Sequence, residues 1–209
     1  MPKDRDTEAR ILAAARTVFI QRGTSGARLQ EIAAEAGVNQ ALVHYYFGSK
    51  DELAERVFIE AAQQLMPAFA PNPVPGMVLE DLITAFVQGY IDAVRQAPFI
   101  PGYIIAEATQ HPERLETLMR AAIGTVPREI AARTFAVIDR MIAERVAQGT
   151  MRAMNVQQLL VNVMALSVFP FVARPMLAAA FGLDDPAFQR FLDERREDLP
   201  RFILNALRP

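Results

Sequence analysis

Cysteine and tryptophan are both absent from the 209 residues. Without cysteine there can be no disulfide, thiolate nucleophile or thiolate metal site, a composition that suits a reducing cytoplasm. Histidine occurs only at His44 and His111, so a Ser-His-Asp arrangement or a histidine-rich metal centre has few candidates. The spacings GxxxxGK[ST], GxGxxG and GxSxG are missing too. They would mark a phosphate loop, a dinucleotide fold and a nucleophile elbow. Glu107 and His111 stand four apart on one helix face, but two ligands make a poor metal site. No metal, cofactor or catalytic residue is therefore expected.

Long apolar runs are also lacking. The best, from Leu159 to Leu183, is interrupted by Asn162, Pro170, Arg174 and Pro175. A membrane span needs ~20 mostly apolar residues, so this region reads as a helix buried by protein. The charged start, Met1 to Asp6, has no apolar stretch behind it, which argues against a secretory leader. No segment alternates with period two for long enough to propose a strand, whereas apolar residues recur at helical spacing throughout. The expectation is an all-α chain.

What is present begins with charge. The net charge is −2. Residues 1–50 nevertheless hold seven basic side chains against five acidic ones, and the remainder is acidic. That asymmetry suits a nucleic-acid-facing head on an acidic body. Within the head, Thr7 to Arg22 forms an amphipathic helix with Ile11, Leu12, Ala15, Val18 and Phe19 on one stripe, and Gly23 stops it. Arg5 and Arg10 near its start are either phosphate contacts or solvated surface charge. A loop is expected at Thr24 to Ala27.

Leu29 to Phe47 reads as two short helices joined by a tight turn. Leu29, Ile32 and Ala33 share one face, Gly37 accepts the turn, and Asn39 caps the second helix. Val43 and Phe47 return an apolar face to the core. Gln40, Ala41, His44 and Tyr45 are left outward, with Leu42 and Tyr46 at the margins. Such side chains hydrogen-bond, stack or touch a thymine methyl. A plain helical hairpin has the same apolar spacing. Ser49-Lys-Asp-Glu52 is a capping box that starts a further long helix through about Leu65 or Phe69.

Gly37-Val38 followed by Val43-His-Tyr-Tyr-Phe-Gly-Ser-Lys-Asp-Glu-Leu53 resembles the signature of the tetracycline-repressor (TetR) family of bacterial transcription regulators. The resemblance covers roughly the first fifty-five residues. It implies a helix-turn-helix DNA-binding domain over residues 1–48 and a helical effector-binding and dimerisation domain over 49–209. Arg28 stands where the family commonly has Thr or Ser, exchanging a hydroxyl cap for a cation. Leu42 and His44 also depart from the residues frequent at their positions. Arg28, Tyr46 and Lys50 are expected to position the DNA backbone. Gln30, Gln40, Ala41, Leu42, His44 and Tyr45 are expected to meet bases.

Beyond the head, Pro67, Pro71, Pro73 and Pro75 with Gly76 form the clearest linker. Helices then read over Met77 to Ala97, Tyr103 to Gln110, Glu113 to Ile123, Pro127 to Gln148, Val156 to Val172 and Pro186 to Leu207, with Pro101-Gly102 as a break and a short piece after Pro175. Pro170 is expected to kink its helix, and Ile130 to face inward. Aromatic and soft residues gather on the central helices. By the resemblance, Phe86, Tyr90, Phe99, Tyr103, Ile104, Glu107, Met119, Phe135 and Met141 are candidates to line a small-molecule pocket, though such residues also make plain core. The resemblance also implies a homodimer interface on the last two long helices, with Val156, Leu160, Val163, Met164, Ser167, Phe188, Leu192, Arg195, Leu199 and Phe202 as its candidates. Completing the chain's own core is the competing role. Together these readings imply a cytoplasmic, ligand-responsive repressor that binds a palindromic operator as a dimer. A DNA-binding or protein-interaction module without a regulatory role, as in chromosome organisation, is the alternative.

Overall fold

The computed structural model describes residues 2–69, 76–124 and 127–209. Pro71, Pro73 and Pro75 of the expected linker lie outside them, as does the side chain of Ile130. Eleven α-helices and no strand occur among the described residues. They run α1 (Pro2–Gly26), α2 (Leu29–Ala36), α3 (Gln40–Phe47), α4 (Lys50–Phe69), α5 (Leu79–Gln96), α6 (Ile100–Gln110), α7 (Pro112–Ile123), α8 (Pro127–Ala147), α9 (Val156–Val172), α10 (Arg174–Phe181) and α11 (Asp185–Ala206). They divide into two compact units, one of residues 1–64 and 102–126, the other of residues 65–101 and 127–209.

Local chemistry accounts for several helix ends. Asn39 accepts the Leu42 N–H at 2.8 Å, Asn155 those of Gln157 and Gln158, and Asp184 that of Ala187. Each satisfies amides that a first helical turn leaves without partners. Three expectations change. Thr24 to Gly26 form a helical turn after a break at Gly23 rather than an open loop. Pro101 and Gly102 lie inside α6 instead of preceding it, because a first-turn proline gives up no helical hydrogen bond. Pro67 likewise lies within α4.

The first unit is built on α1, α2, α3 and α4 up to Gln64, with α6 from Gly102 and α7. Ile11, Ala15 and Phe19 from α1, Ile32 and Ala33 from α2, Val43 from α3 and Leu53, Val57 and Phe58 from α4 are buried. The small Ala33 belongs to the helix that packs against both α1 and α3.

In the second unit α5 packs against α9 and α11, and α8 against α9. Its centre is a chain of rings from Phe86 through Tyr90, Phe171 and Phe188 to Phe191, with successive centroids 6.0 to 6.4 Å apart. α9 buries Leu159, Val163, Ser167 and Phe171 but exposes Val161, Met164, Phe169 and Val172, so it is only half covered by its own chain. No single described helix is long and apolar enough to cross a membrane. α9 and α10 pass that test together but bend by 70° between them.

Burial raises the Tyr90 phenol above its ordinary value of 10. The folded unit therefore keeps this proton to higher pH than the unfolded chain. The stability this gives is whole below about pH 10 and falls at about 1.4 kcal/mol per pH unit above it. Tyr90→Phe should flatten that alkaline limb while leaving the neutral region nearly unchanged. Denaturant midpoints from about pH 8 to about pH 11 measure it, and parallel limbs for the two proteins would refute it.

Candidate nucleic-acid interface

The turn between α2 and α3 sets the geometry of the interface. Gly37 takes a left-handed conformation, φ 64° and ψ 37°. This lets the Val38 N–H return to the Ala33 carbonyl and close the end of α2. Arg10 Nη2 donates to the Ala36 carbonyl at 2.6 Å and to that of Gly37 at 3.3 Å. Arg10, one of two phosphate candidates near the start of α1, thus caps the turn. At the start of α2, Glu31 accepts the Arg28 N–H at 3.2 Å. That is half a capping box, since an arginine side chain has no acceptor to supply the other half.

Six of the nine side chains expected at DNA are exposed: Arg28, Gln30, Gln40, Ala41, His44 and Tyr45. Leu42, Tyr46 and Lys50 are half-buried. Tyr45 is 79% exposed and meets Tyr46 edge to face at 5.3 Å. An exposed tyrosine beside a buried Val43 is what one helix needs to present a polar aromatic face while holding its place in the core.

The capping box at Ser49 forms as its sequence suggests. Glu52 N–H donates to Ser49 Oγ at 3.1 Å and Ser49 N–H to Glu52 Oε2 at 2.7 Å. Lys50 Nζ donates to the Ser25 and Ala27 carbonyls, both at 3.2 Å. The expected backbone-positioning lysine therefore also holds the corner between α1 and α2. Gly48 was not singled out by its sequence context. Its φ is 71°, its carbonyl lies 2.6 Å from His44 Nδ1, and a Cβ there would collide with the Glu52 carboxylate. Its position between an aromatic run and a capping box was the available signal.

The candidate ligand residues are divided. Tyr103, Ile104, Glu107 and Met119 belong to the first unit, and Phe86, Tyr90, Phe99, Phe135 and Met141 to the second. Two of the three polar ones have partners within the first unit. Buried Glu107 accepts from the buried Thr24 hydroxyl, and Tyr103 Oη donates to the Ala54 carbonyl at 3.3 Å. Thr24 had no role in the sequence reading, because its partner lies 83 residues away. A cleft of about 290 Å³ in the second unit, lined by Glu80, Arg145, Met151 and Leu207 among others, includes none of the nine.

Among the interface candidates, Val163, Ser167, Phe188, Leu192 and Leu199 are buried within the chain. Met164 and Phe202 are exposed, and Val156, Leu160 and Arg195 are half-buried. A groove of about 370 Å³ on α9 and α11 is lined by Leu166, Phe191, Arg195, Leu199 and Phe202, among others.

Known proteins share these features chiefly at the N-terminus. The sequence model described as bacterial regulatory proteins of the tetR family matches residues 11–57. The HTH-type transcriptional repressor SCO4008 of Streptomyces coelicolor is 49% identical over 47 residues, 22% of this chain and 24% of that protein. The HTH-type transcriptional regulator SrpR of Pseudomonas putida is 34% identical over 89 residues, 43% of this chain and 40% of that protein. The chain thus spans about a quarter and two-fifths of the length of these curated relatives. Among solved structures, the hemolysin II transcriptional regulator HlyIIR aligns with a TM-score of 0.58 at 23% identity, covering 99% of both chains. The TetR-family regulator PfmR from Thermus thermophilus aligns at 0.58 and 19% identity, over 78% of this chain and 84% of that one. At such identities the structures speak for the fold alone. Residues 11–57 of this chain are thus similar to the bacterial regulatory proteins of the tetR family.

Proposed function

We propose that the protein is a DNA-binding transcription regulator, a repressor that binds a palindromic operator as a homodimer and responds to a small-molecule effector. It assigns no catalysis. The observation that carries the reading is α3, which buries Val43 while exposing Gln40, Ala41, His44 and Tyr45 on one side of a helix-turn-helix. Residues 1–48 read DNA in this proposal, and 49–209 serve effector binding and dimerisation.

Two recognition helices reach successive major grooves when they stand about 34–36 Å apart. Arg28, Tyr46 and Lys50 hold the backbone. Two ammonium protons of Lys50 go to carbonyls, and a phosphate takes the third. Gln30, Gln40, Ala41, Leu42, His44 and Tyr45 meet base edges. The exposed Met164 and Phe202, with the groove that Phe202 lines, support α9 and α11 as the dimer face. The effector reading rests on the aromatic residues Phe86, Tyr90, Phe99, Phe135 and Tyr103 with Ile104, Glu107, Met119 and Met141. An effector acts only by differential affinity for two states, typically ~1–3 kcal/mol of coupling.

Gel shifts with the DNA upstream of the protein's own gene test the proposal. Tyr45→Ala should weaken operator binding about tenfold, and Gln40→Ala should change base preference by about tenfold at one position per half-site. Circular dichroism of both variants should match the wild type. Operator binding unchanged in both would refute the assignment of α3.

A further inference from the structure

Gln40 and His44 stand one turn apart on the outward face of α3, and their contacts define a direction. His44 Nδ1 lies 2.6 Å from the Gly48 carbonyl oxygen. A carbonyl oxygen only accepts, so Nδ1 carries the proton, and in that tautomer Nε2 is the acceptor. Gln40 Nε2 lies 3.4 Å from that acceptor. The Gln40 amide is thereby oriented with its nitrogen toward His44, and giving the ring the N–H anti to its own carbonyl fits that placement. The carbonyl and the N–H syn to it remain, an acceptor and a donor side by side.

Adenine offers the complement of that pair in the major groove, an N6 donor beside the N7 acceptor, whereas guanine offers two acceptors, O6 and N7. We propose that His44 is a positioning residue that holds the Gln40 amide in the adenine-reading orientation, so that Gln40 selects adenine in each operator half-site. A glutamine amide without this restraint rotates by half a turn and offers its NH₂ group to guanine. Here the same rotation brings Oε1 against the Nε2 lone pair. The nearby Asn39 side-chain oxygen already caps α3 through the Leu42 N–H. His44 thus sets specificity through its neighbour, without itself needing to touch that base. This inference rests on the DNA-binding reading above.

The experiment is selection from randomised duplex DNA with the full-length chain and with Gln40→Ala, His44→Ala and His44→Phe. His44→Phe keeps a ring and removes the acceptor. The wild type should enrich a palindrome, and Gln40→Ala should identify the base that Gln40 reads. That base should be adenine, preferred about tenfold or more over guanine. Both His44 variants should reduce the preference to about twofold or less at that position, with a palindrome still enriched and circular dichroism unchanged. An unchanged adenine preference in both His44 variants overturns the inference alone, as does a Gln40 position that is not adenine. Enrichment of no sequence by the wild-type chain overturns the regulator reading and this inference with it.

Discussion

Phe58→Ala should lower the unfolding free energy of the first unit by about 3–5 kcal/mol, the range for emptying a buried aromatic site. The ring is 1% exposed and lies 6.4 Å, centroid to centroid, from Tyr103, whose hydroxyl donates to the Ala54 carbonyl one turn earlier on α4. Removing the ring leaves a cavity and takes away the packing that orients that hydroxyl. Operator binding should be lost with the fold, because α3 is positioned by the same core. Tyr45→Ala is the control. At 79% exposure it should leave unfolding within about 0.5 kcal/mol while still weakening DNA binding. With no tryptophan in the chain, urea unfolding is best followed by helical circular dichroism. Equal midpoints for Phe58→Ala and the wild type would refute the packing assigned to this ring.

Gly48→Ala should cost about 1–3 kcal/mol, a typical penalty for a strained backbone position. Two causes act together. Its φ of 71° disfavours any Cβ, and the space a Cβ requires is held by the Glu52 carboxylate. Ser49 holds that carboxyl below its ordinary value of 4.5, first through its backbone N–H and then through its side chain. Its contribution to stability is therefore whole above that value and is lost as pH falls from there through the lowered value of the folded chain. Moving Glu52 aside breaks the cap on α4, while leaving it in place displaces the Gly48 carbonyl that anchors His44. Glu52→Ala alone should cost less than Gly48→Ala. The double variant should cost less than the sum of the two, since the added methyl then has room. Strict additivity, measured from denaturation midpoints, would show that only the positive φ matters.

The Ser49–Glu52 box, the Asn39 and Asn155 caps and the bounds of α9 were all legible in the residues. Their hydrogen bonds close within three positions, so neighbouring residue types suffice to specify them. The buried stripes of α1 and α2 were legible for a similar reason, because helical period converts spacing into a face. Amphipathicity cannot say what covers a face. Phe188 and Leu192 suited an interface between chains equally well in sequence, yet they are buried in the chain itself, while Phe202, on the same helix, is exposed.

The same division runs through the head. Residue types alone determined two short helices joined by a tight turn, the second capped by Asn39, and a basic bias, because those depend on local backbone chemistry and composition. Only the folded chain decided that Lys50 holds the carbonyls of Ser25 and Ala27, that Thr24 serves Glu107, and that Arg10 closes the turn at Gly37. Those partners lie 23 to 83 residues away. A donor's type does not reveal which distant acceptor packing will bring within 3.5 Å of it.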